Sequence, residues 1–269
     1  MKDRPVKLII IIIIASLLLL TIGILFEEYG SRTSEANQSK TLQRATSKAL
    51  PLKYIYLTFD DGPLDGSENI DSVILSEKLK INVFLVGKNI LRSTRLDSFY
   101  QMYEHNPFIE SYNHSFTHAN NRYDSFYQNP QSVLTDIAEN EKVLNLKFKV
   151  VRLPGRDMWR IGGRKRNDVK IGASSADTLA AHGYKLYGWD LEWQHKNDGE
   201  PIQSVDTMYN EIVNRLEKGK TFTKGHLVLL LHDEMFQKRW EESELKQLID
   251  RLRTHPNYVF EHIRFYPDK

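Results

Sequence analysis

The feature that most constrains the fold is an alternation of short apolar runs with helical patterns, which begins at Pro51. Apolar runs of strand length lie at 54–59, 82–86, 108–112, 149–153, 185–189, 227–231 and 258–264. Helical patterns separate most of them, at 69–80, 94–104, 131–146, 175–182, 204–218 and 241–254. Strands that alternate with helices favour a parallel sheet. Because no reversal point is visible, we predict an α/β fold with a distorted or incomplete (β/α) barrel of about seven parallel strands.

A separate apolar segment precedes this part of the chain. Residues 8–26 carry no charged side chain and are almost all Ile and Leu. About 19 residues of helix span about 28 Å, close to the roughly 30 Å hydrocarbon core of a bilayer. We therefore expect a single N-terminal transmembrane helix, with the N-terminus in the cytoplasm by the positive-inside rule. The flanking charges behind this orientation are Lys2, Arg4 and Lys7 before the segment and Glu27 and Glu28 after it.

The alternative is a cleaved signal peptide, whose apolar region is about 7–15 residues long and ends at a small-x-small site. Here the apolar run is longer, and the nearest such site, Ser34-x-Ala36, lies well beyond it. An uncleaved anchor is therefore preferred, whereas cleavage would give a secreted protein. Both interpretations send the rest of the chain out of the cytoplasm, to the cell envelope or the periplasm. The lack of cysteine excludes a lipoprotein anchor and disulfides.

The composition changes between the apolar segment and Pro51. Residues 27–50 are rich in Ser, Thr, Gln, Asn, Ala and Lys and poor in apolar side chains, which is typical of a flexible stalk. The predicted organisation is a cytoplasmic tip and membrane anchor at 1–26, a stalk at 27–50 and one globular domain at 51–269. With 37 basic and 35 acidic residues, the charge is nearly balanced, so nucleic acid is not expected as a partner.

One segment departs from this charge balance. Between 156 and 170, only Asp157 and Asp168 oppose a run of basic residues. The default interpretation is a solvated basic loop. The alternative is a rim that attracts an anionic glycan or lipid headgroups. The basic residues are Arg156, Arg160, Arg164, Lys165, Arg166 and Lys170.

Two carboxylates and two imidazoles form the candidate site. Asp60 and Asp61 directly follow the apolar run 54–59, and His114 and His118 lie four residues apart. The Asp-Asp-Gly-Pro stretch by itself is also typical of a turn. One carboxylate with two histidines, however, is a three-ligand set that leaves a metal open to water, and the second carboxylate is then free to act as a base. The pattern predicts a metal-assisted hydrolase.

The placement of polar residues along the chain supports this prediction. In (β/α) barrels the chemistry lies at the C-terminal ends of the strands. Five residues that can bind metals or transfer protons each fall at or just past the end of a different apolar run: Asp60, His114, Arg152, Asp190 and His232. They are therefore expected at one rim of the barrel.

Five motifs occur in order along the chain: TFDDGP at 58–63, NHSFTH at 113–118, RLPGR at 152–156, WDLEW at 189–193 and LLLHD at 229–233. In this set and order, the chain resembles the polysaccharide deacetylases with a NodB-homology domain (carbohydrate esterase family four). The resemblance covers about residues 52–265, essentially the whole globular part. It implies that 51–269 is a polysaccharide deacetylase catalytic domain.

The resemblance implies a division of labour between the carboxylates. Asp60 would be the general base, and Asp61 would bind the metal together with His114 and His118. A metal polarises the acetyl carbonyl and lowers the pKa of bound water, while a nearby carboxylate removes the proton. Zinc is the expected cofactor because two imidazoles and a carboxylate form a catalytic zinc set. Co²⁺, Ni²⁺ or Mn²⁺ would fit the same ligands.

The third motif is expected to position the base and to stabilise developing charge. By resemblance, Arg152 hydrogen-bonds and orients Asp60, which suits a planar guanidinium. Gly155 supplies a backbone N–H to the tetrahedral oxyanion. Many relatives carry an aromatic residue at this position, so this chain loses a side-chain wall there.

The fourth motif contains two carboxylates that are candidates for supporting the histidine of motif five. Relatives usually have Asp immediately before the second tryptophan, where it supports the histidine of motif five; this chain has Glu192. Asp190 would lie on the same face if the segment is extended, so either carboxylate is a candidate. Trp193 is expected either to line the sugar-binding groove or to belong to the core.

The fifth motif completes the predicted chemistry. The resemblance makes His232 the general acid for the leaving amine, because the unperturbed pKa of imidazole lies near neutrality. Leu230 shares a face with His232 by the period of a strand and would form a wall of the acetyl-methyl pocket. The remaining histidines, including His105, His195 and His226, are expected at the surface.

Together these patterns predict a membrane-anchored, metal-dependent deacetylase that removes N-acetyl groups, in preference to O-acetyl groups, from an envelope or extracellular polysaccharide. Its expected partners are an acetylated polysaccharide and, through the N-terminal helix, the membrane. An amidohydrolase acting on a small non-glycan amide is one alternative, since a shared barrel does not determine the substrate. A non-catalytic glycan-binding protein is the other, although none of Asp60, Asp61, His114 and His118 is replaced.

Overall fold

A computed structural model describes residues 50–238 and 242–268 of the chain. Residues 52–269 form one compact unit. The predicted membrane anchor at 8–26 and most of the predicted stalk lie outside the described residues. Among the helices that are described, none combines the length and the apolar character that crossing a membrane requires.

In the described part of the chain, ten strands form one sheet in the order β6-β5-β7-β4-β3-β2-β1-β9-β8, with β10 paired to β1. Every pairing is parallel except those made by β5, which pairs antiparallel with β6 and β7. The strands are β1 (Lys53–Asp60), β2 (Ile81–Leu85), β3 (Ile109–Asn113), β4 (Val150–Val151), β5 (Trp159–Ile161), β6 (Arg164–Arg166), β7 (Lys185–Leu186), β8 (Leu191–Glu192), β9 (His226–His232) and β10 (Tyr258–Phe260).

Helices lie between most of the parallel strands, as the sequence predicts. Several begin at a side-chain cap: Ser93, Asn129 and Ser204 each accept hydrogen bonds from N–H groups of the first turn. The helices are α1 (Ser67–Glu77), α2 (Gly87–Arg92), α3 (Thr94–His105), α4 (Tyr123–Tyr127), α5 (Pro130–Val143), α6 (Ala173–Ala181), α7 (Val205–Lys218) and α8 (Glu244–Leu252).

The incomplete (β/α) barrel is confirmed, because the sheet is parallel in its main part and ends in the unpaired edges of β6 and β8. The β5–β6 hairpin and α2 were not predicted. β6 reads Arg-Lys-Arg, which has no apolar alternation, and its strand character depends on its pairing with β5. The last apolar run, at 258–264, is a strand only over β10 and ends in a 3₁₀ turn at Ile263–Phe265.

Alternation along β1 separates two packing layers. Ile55, Leu57 and Phe59 pack with the helices in one apolar cluster, whereas Tyr56 packs in a second cluster with aromatic residues of neighbouring strands. Since side chains alternate along a strand, Asp60 points to the same side as Tyr56. β1 and β9 run side by side, with Asp60 paired to His232. The strand register therefore brings two of the predicted site residues together at the C-terminal edge.

Candidate active site

The three predicted metal ligands converge on one point. Oδ1 of Asp61 lies 3.1 Å from Nε2 of His114 and 2.9 Å from Nε2 of His118. Among the described residues these three form the one group of His and acidic side chains whose potential ligand atoms lie within 4.8 Å of one another. The imidazole rings are 5.3 Å apart between centroids. Two motifs that lie more than fifty residues apart in the sequence therefore form a single site.

Local structure fixes each of these side chains. Asp61 follows β1 with a φ of 70°, and its carbonyl oxygen accepts a hydrogen bond from Nδ2 of Asn89 at 2.8 Å. Nδ1 of His114 lies 2.9 Å from the carbonyl oxygen of Arg152, a contact that orients the ring so that Nε2 faces the candidate metal position beside Asp61. His118 has a φ of 52°, and its N–H donates to Oγ of Ser115 at 2.9 Å.

This donor set fits a divalent metal. Within the part of the chain that the structure describes, no hydrogen bond of good geometry reaches Oδ1 of Asp61, although that oxygen is buried. Burial raises the pKa of Asp61, but the two imidazoles outweigh it and hold that pKa well below its usual range, so the carboxylate is ionised. A buried anionic oxygen that faces the ring nitrogens of two histidines is the arrangement that a cation with nitrogen and oxygen ligands satisfies.

Asp60 is held by a fully buried arginine. Nη1 of Arg152 donates to Oδ1 of Asp60 at 2.8 Å and to Oγ1 of Thr58 at 2.7 Å. Its other nitrogens donate to the carbonyl oxygens of Tyr187 and Gly188 at 3.1 and 2.9 Å. The guanidinium cannot rotate without breaking these bonds. The hydrogen bond from Arg152 therefore fixes the position of Oδ1 of Asp60.

The second oxygen of Asp60 faces the proposed metal ligands. Oδ2 lies 3.7 Å from Nε2 of His114, and the residue is only 3% exposed. One carboxylate oxygen is therefore anchored and the other is directed to the place where a water molecule would react. This geometry is the one that a general base requires.

His232 lies across the site at the end of β9, and its surroundings differ from the prediction. Its Nδ1 is buried and has no hydrogen-bond partner in the described structure. Its ring packs against that of His195, with 4.9 Å between centroids. Nε2 of His195 in turn lies 3.5 Å from Oε1 of Glu234. His195 was expected at the surface and is partly exposed, but its contact with His232 was not predicted; its position two residues after motif four was the available signal.

Asp190 does not support His232. Its Oδ1 accepts the N–H of Phe222 at 2.6 Å, and its Oδ2 accepts that of Val228 at 2.9 Å. Burial raises the pKa of Asp190 to about 6, although these two N–H groups oppose the shift. Both oxygens are used to hold the segment that enters β9. Asp190 is therefore a structural residue in this fold, and the prediction that it contacts the general acid is wrong.

The register of β8 against β9 places Glu192 closer to the site than Asp190. It pairs with Leu230 on β9, two residues before His232. Its side chain is partly exposed and makes neither a hydrogen bond nor an ion pair with any residue that the structure describes. Leu230 is 3% exposed and lies beside Thr58 of β1. Leu230 thus stays a candidate wall for the acetyl-methyl group.

Trp193 belongs to the core. It is completely buried, its Nε1 donates to the carbonyl oxygen of Gln203 at 2.8 Å, and its ring packs edge-on against Phe236 with 6.0 Å between centroids. A ring with no exposed surface cannot stack on a sugar. The prediction that Trp193 lines the groove is therefore wrong, and the alternative, a core tryptophan, is correct.

Tyr123 stands beside Gly155, where the sequence predicts a missing wall. Gly155 has a φ of 62°, and a Cβ at this position would lie 3.3 Å from Cε1 of Tyr123. The ring of Tyr123 also meets that of His118 edge-on, at 5.9 Å between centroids. Burial raises the pKa of Tyr123, and the charge of Asp61 adds to this shift. An aromatic residue distant in sequence thus supplies a wall of the site, which no local motif indicated.

Asp233, which follows His232, anchors the loop that carries Asp61. It is fully buried and accepts hydrogen bonds from Oγ of Ser67 at 2.5 Å and from the hydroxyl of Tyr103 at 2.8 Å. Burial raises the pKa of Asp233 to about 7. Its carboxylate packs directly against Gly62, where a side chain would collide with it. The fifth motif therefore supports the first one structurally.

The arginines of the basic segment at 156–170 bind this segment to itself and to neighbouring parts of the fold. Three of its arginines pair with acidic residues: Arg156 with Asp124 at 2.9 Å, Arg160 with Asp177 at 2.6 Å and Arg166 with Asp157 at 2.8 Å. Nη1 of Arg164 donates to Oγ1 of Thr223 at 2.9 Å. Because these guanidinium groups already have partners, the segment is poorly suited to act as an anion-attracting rim.

Comparisons with known proteins identify the family of this chain. The family model described as polysaccharide deacetylase matches residues 47–186, which is more than half of the 269 residues. The chain therefore belongs to the polysaccharide deacetylase family, whose members are hydrolases. A curated relative, the peptidoglycan-N-acetylglucosamine deacetylase of Bacillus cereus, is 24% identical over 186 residues, which cover 67% of this chain and 60% of the relative. The match thus spans less than two thirds of that relative's length.

Solved structures show the same fold. A carbohydrate esterase family four (CE4) esterase of Streptococcus mutans has a TM-score of 0.57 at 22% identity, covering 78% of this chain and 85% of the esterase. The catalytic domain of a peptidoglycan N-acetylglucosamine deacetylase from Eubacterium rectale has a TM-score of 0.56 at 18% identity, covering 79% of this chain and 89% of that domain. At these identities the likeness establishes the α/β half-barrel.

Proposed function

We propose that this protein is a metal-dependent deacetylase that removes N-acetyl groups from an envelope or extracellular polysaccharide. The observation that carries the proposal is the position of Asp60. One of its oxygens is held by Arg152 at 2.8 Å, and the other lies 3.7 Å from a predicted metal ligand, His114. An anchored base beside a three-ligand metal set is suited to activating water for attack on an amide.

Asp61, His114 and His118 would hold the metal, with Zn²⁺ as the expected ion. When bound, such an ion supplies a Lewis acid for the acetyl carbonyl and lowers the pKa of water. Two imidazoles and one carboxylate would also accept Co²⁺, Ni²⁺ or Mn²⁺, so the ligand set does not select one metal by itself.

The remaining roles belong to the chain's own groups. Oδ2 of Asp60 accepts the proton of the attacking water, and Arg152 keeps Oδ1 from turning toward the substrate. The backbone N–H of Gly155 is the proposed donor to the oxyanion. His232 delivers a proton to the leaving nitrogen, which must be protonated to depart as an amine.

The proposed location follows from the residues that precede the catalytic domain. An uncharged apolar segment at 8–26, with basic residues before it and acidic residues after it, supports a membrane anchor with the catalytic domain outside the cytoplasm. This placement brings the enzyme to its proposed glycan substrate.

The test is acetate release by the full-length protein in detergent, loaded with Zn²⁺, from a panel of N-acetylated and O-acetylated glycans. Asp60→Asn serves as the inactive control. Acetate release from acetylated glucosamine oligomers is the expected result. Hydrolysis of small non-glycan amides without turnover of any glycan would instead identify an amidohydrolase, and glycan binding without turnover of either class would identify a binding protein.

A further inference from the structure

We propose that Lys88 and Arg92 form a subsite for an anionic group on the glycan, next to the N-acetyl group that is removed. This inference rests on the proposed deacetylase function and narrows its substrate to glycans that carry carboxylates or phosphates. Both residues lie on α2, which follows β2 at the edge of the sheet where the site is built.

The two cations line a cleft that opens on the metal ligands. Asp61 and His118 form one side of this cleft, and its volume is about 330 Å³. Of the residues that line it, Asp61 is the one carboxylate, and that carboxylate belongs to the metal set. The other lining residues are Leu64, Val86, Lys88, Asn89, Arg92, Thr117, Asn120 and Asn121.

Among the described residues, no acidic side chain forms an ion pair with either cation. Nζ of Lys88 donates to Oδ1 of Asn120 at 3.1 Å, across the cleft. Arg92 makes no hydrogen bond or ion pair with residues 50–238 or 242–268. By contrast, the neighbouring Arg95 pairs with Asp65 at 2.6 Å. Lys88 and Arg92 therefore differ from an ordinary surface cation, which pairs with a neighbouring acidic residue.

The spacing of the two residues makes their placement unfavourable without a ligand. Lys88 and Arg92 are four residues apart on a helix, where like charges repel each other. No carboxylate of the described chain offsets that repulsion. Unfavourable local arrangements, such as two like charges at this spacing, are found most often at functional sites.

A divalent ion bound by the metal ligands would add to the positive charge of the cleft. A divalent ion together with Lys88 and Arg92 outweighs the single charge of Asp61, so the cleft attracts anions. A cleft lined by one sign of charge raises the local concentration of an oppositely charged substrate. Arginine also binds carboxylates and phosphates through two parallel hydrogen bonds. The proposed ligand is therefore an anionic oxygen group of the glycan that enters the same cleft as the reacting sugar.

A sugar carboxylate and a phosphate ester share this chemistry, and the substrates used in the test separate them. The neutral probe is an N-acetylglucosamine oligomer. The carboxylate probe is an oligosaccharide that alternates N-acetylglucosamine with a hexuronic acid, and the phosphate probe is the N-acetylglucosamine oligomer carrying a 6-phosphate. The measured quantity is the ratio of kcat/KM for each anionic probe to that for the neutral probe, in the full-length enzyme loaded with Zn²⁺.

We expect the ratio to exceed one for at least one anionic probe and to fall about fivefold in the Lys88→Gln/Arg92→Gln variant, since exposed ion pairs contribute only modestly to affinity. The ratio should also fall as NaCl is raised, because salt screens exposed charges. The matched control is Arg215→Gln/Lys218→Gln, which removes the same two charges from α7, away from the cleft, and should leave the ratio unchanged. The anionic probe with the larger ratio identifies the source of the charge.

Binding measurements keep this inference separate from the proposed function. Calorimetry with the Asp60→Asn protein compares the affinities of the neutral and anionic probes without any turnover. Tighter binding of an anionic probe that is lost in the Lys88→Gln/Arg92→Gln background supports the subsite even if no acetate is released. Equal affinities for all three probes, or a preference that survives the double substitution, would overturn it.

Discussion

The ring of His232 packs against the ring of His195, with 4.9 Å between their centroids, and no described carboxylate contacts Nδ1 of His232. His195 itself lies within 3.5 Å of Glu234, so the neighbour that packs on the ring of His232 is an imidazole and not a carboxylate. The arrangement orients the proposed general acid by ring packing. The site therefore differs from the one that the sequence motifs implied, in which a carboxylate supports the histidine.

His232→Ala is expected to slow turnover by about 10²–10⁴-fold, the usual range for losing a general acid, while metal content is unchanged. His195→Ala should lower kcat by a smaller factor, about tenfold, because the ring of His232 loses the surface that holds it. Steady-state kinetics and metal analysis on the same preparations provide the test. Glu192→Gln is the comparison: if it lowers kcat as much as His195→Ala does, Glu192 supports His232 in solution.

The two adjacent aspartates should respond differently to the same change. Asp60→Asn is expected to abolish turnover and to keep the metal, because its carboxylate is held by Arg152 and lies outside the ligand set. Asp61→Asn should lose metal and turnover together, as should His114→Ala and His118→Ala. Metal content measured on each purified protein decides between the roles. Retention of metal in Asp61→Asn with its loss in Asp60→Asn would reverse the assignment.

Tyr123→Ala is expected to raise KM for an acetylated glucosamine oligomer about fivefold, since an aromatic contact is worth about 1 kcal/mol. Tyr123→Phe keeps the ring and should stay near the parent value. The side chain lies over Gly155 and against His118, so its loss opens one wall of the site. An unchanged KM in Tyr123→Ala would show that the ring does not contact the sugar.

Asp190 should make stability depend on pH in a predictable direction. Its pKa is about 6 in the folded protein and 3.8 in the reference state, so the folded state binds the proton more tightly. The free energy of unfolding contributed by this group is fully present below pH 4 and falls as pH rises from about 4 to about 6, by up to about 3 kcal/mol.

Denaturant unfolding at several pH values tests this expectation by comparing the parent protein with Asp190→Asn. The difference in unfolding free energy between the two should change across the pH 4–6 window, whereas turnover should respond only through stability. A constant difference across that window would show that Asp190 does not titrate there. Asp233, whose pKa is raised to about 7, contributes to both proteins and cancels in the comparison.

Sequence patterns were sufficient where an element carries its own signal. The apolar runs of β1, β2, β3 and β9 are long enough to be recognised, and the half-barrel follows from their alternation with helices. The short ladders β6 and β8 carry no such signal, because two or three residues become a strand only through hydrogen bonds to a neighbour. For the same reason, the antiparallel hairpin of β5 and β6 was not predicted.

The sequence by itself determined the candidate metal-binding set, since Asp61, His114 and His118 lie in short motifs at strand ends and the structure brings them together. Only the tertiary structure decided which residues surround them. Tyr123 reaches the site from the start of α4 and His195 from the segment after β8, whereas both oxygens of Asp190 accept hydrogen bonds from the N–H groups of Phe222 and Val228. Such contacts depend on where distant segments meet in space, and no periodicity within one segment encodes that meeting.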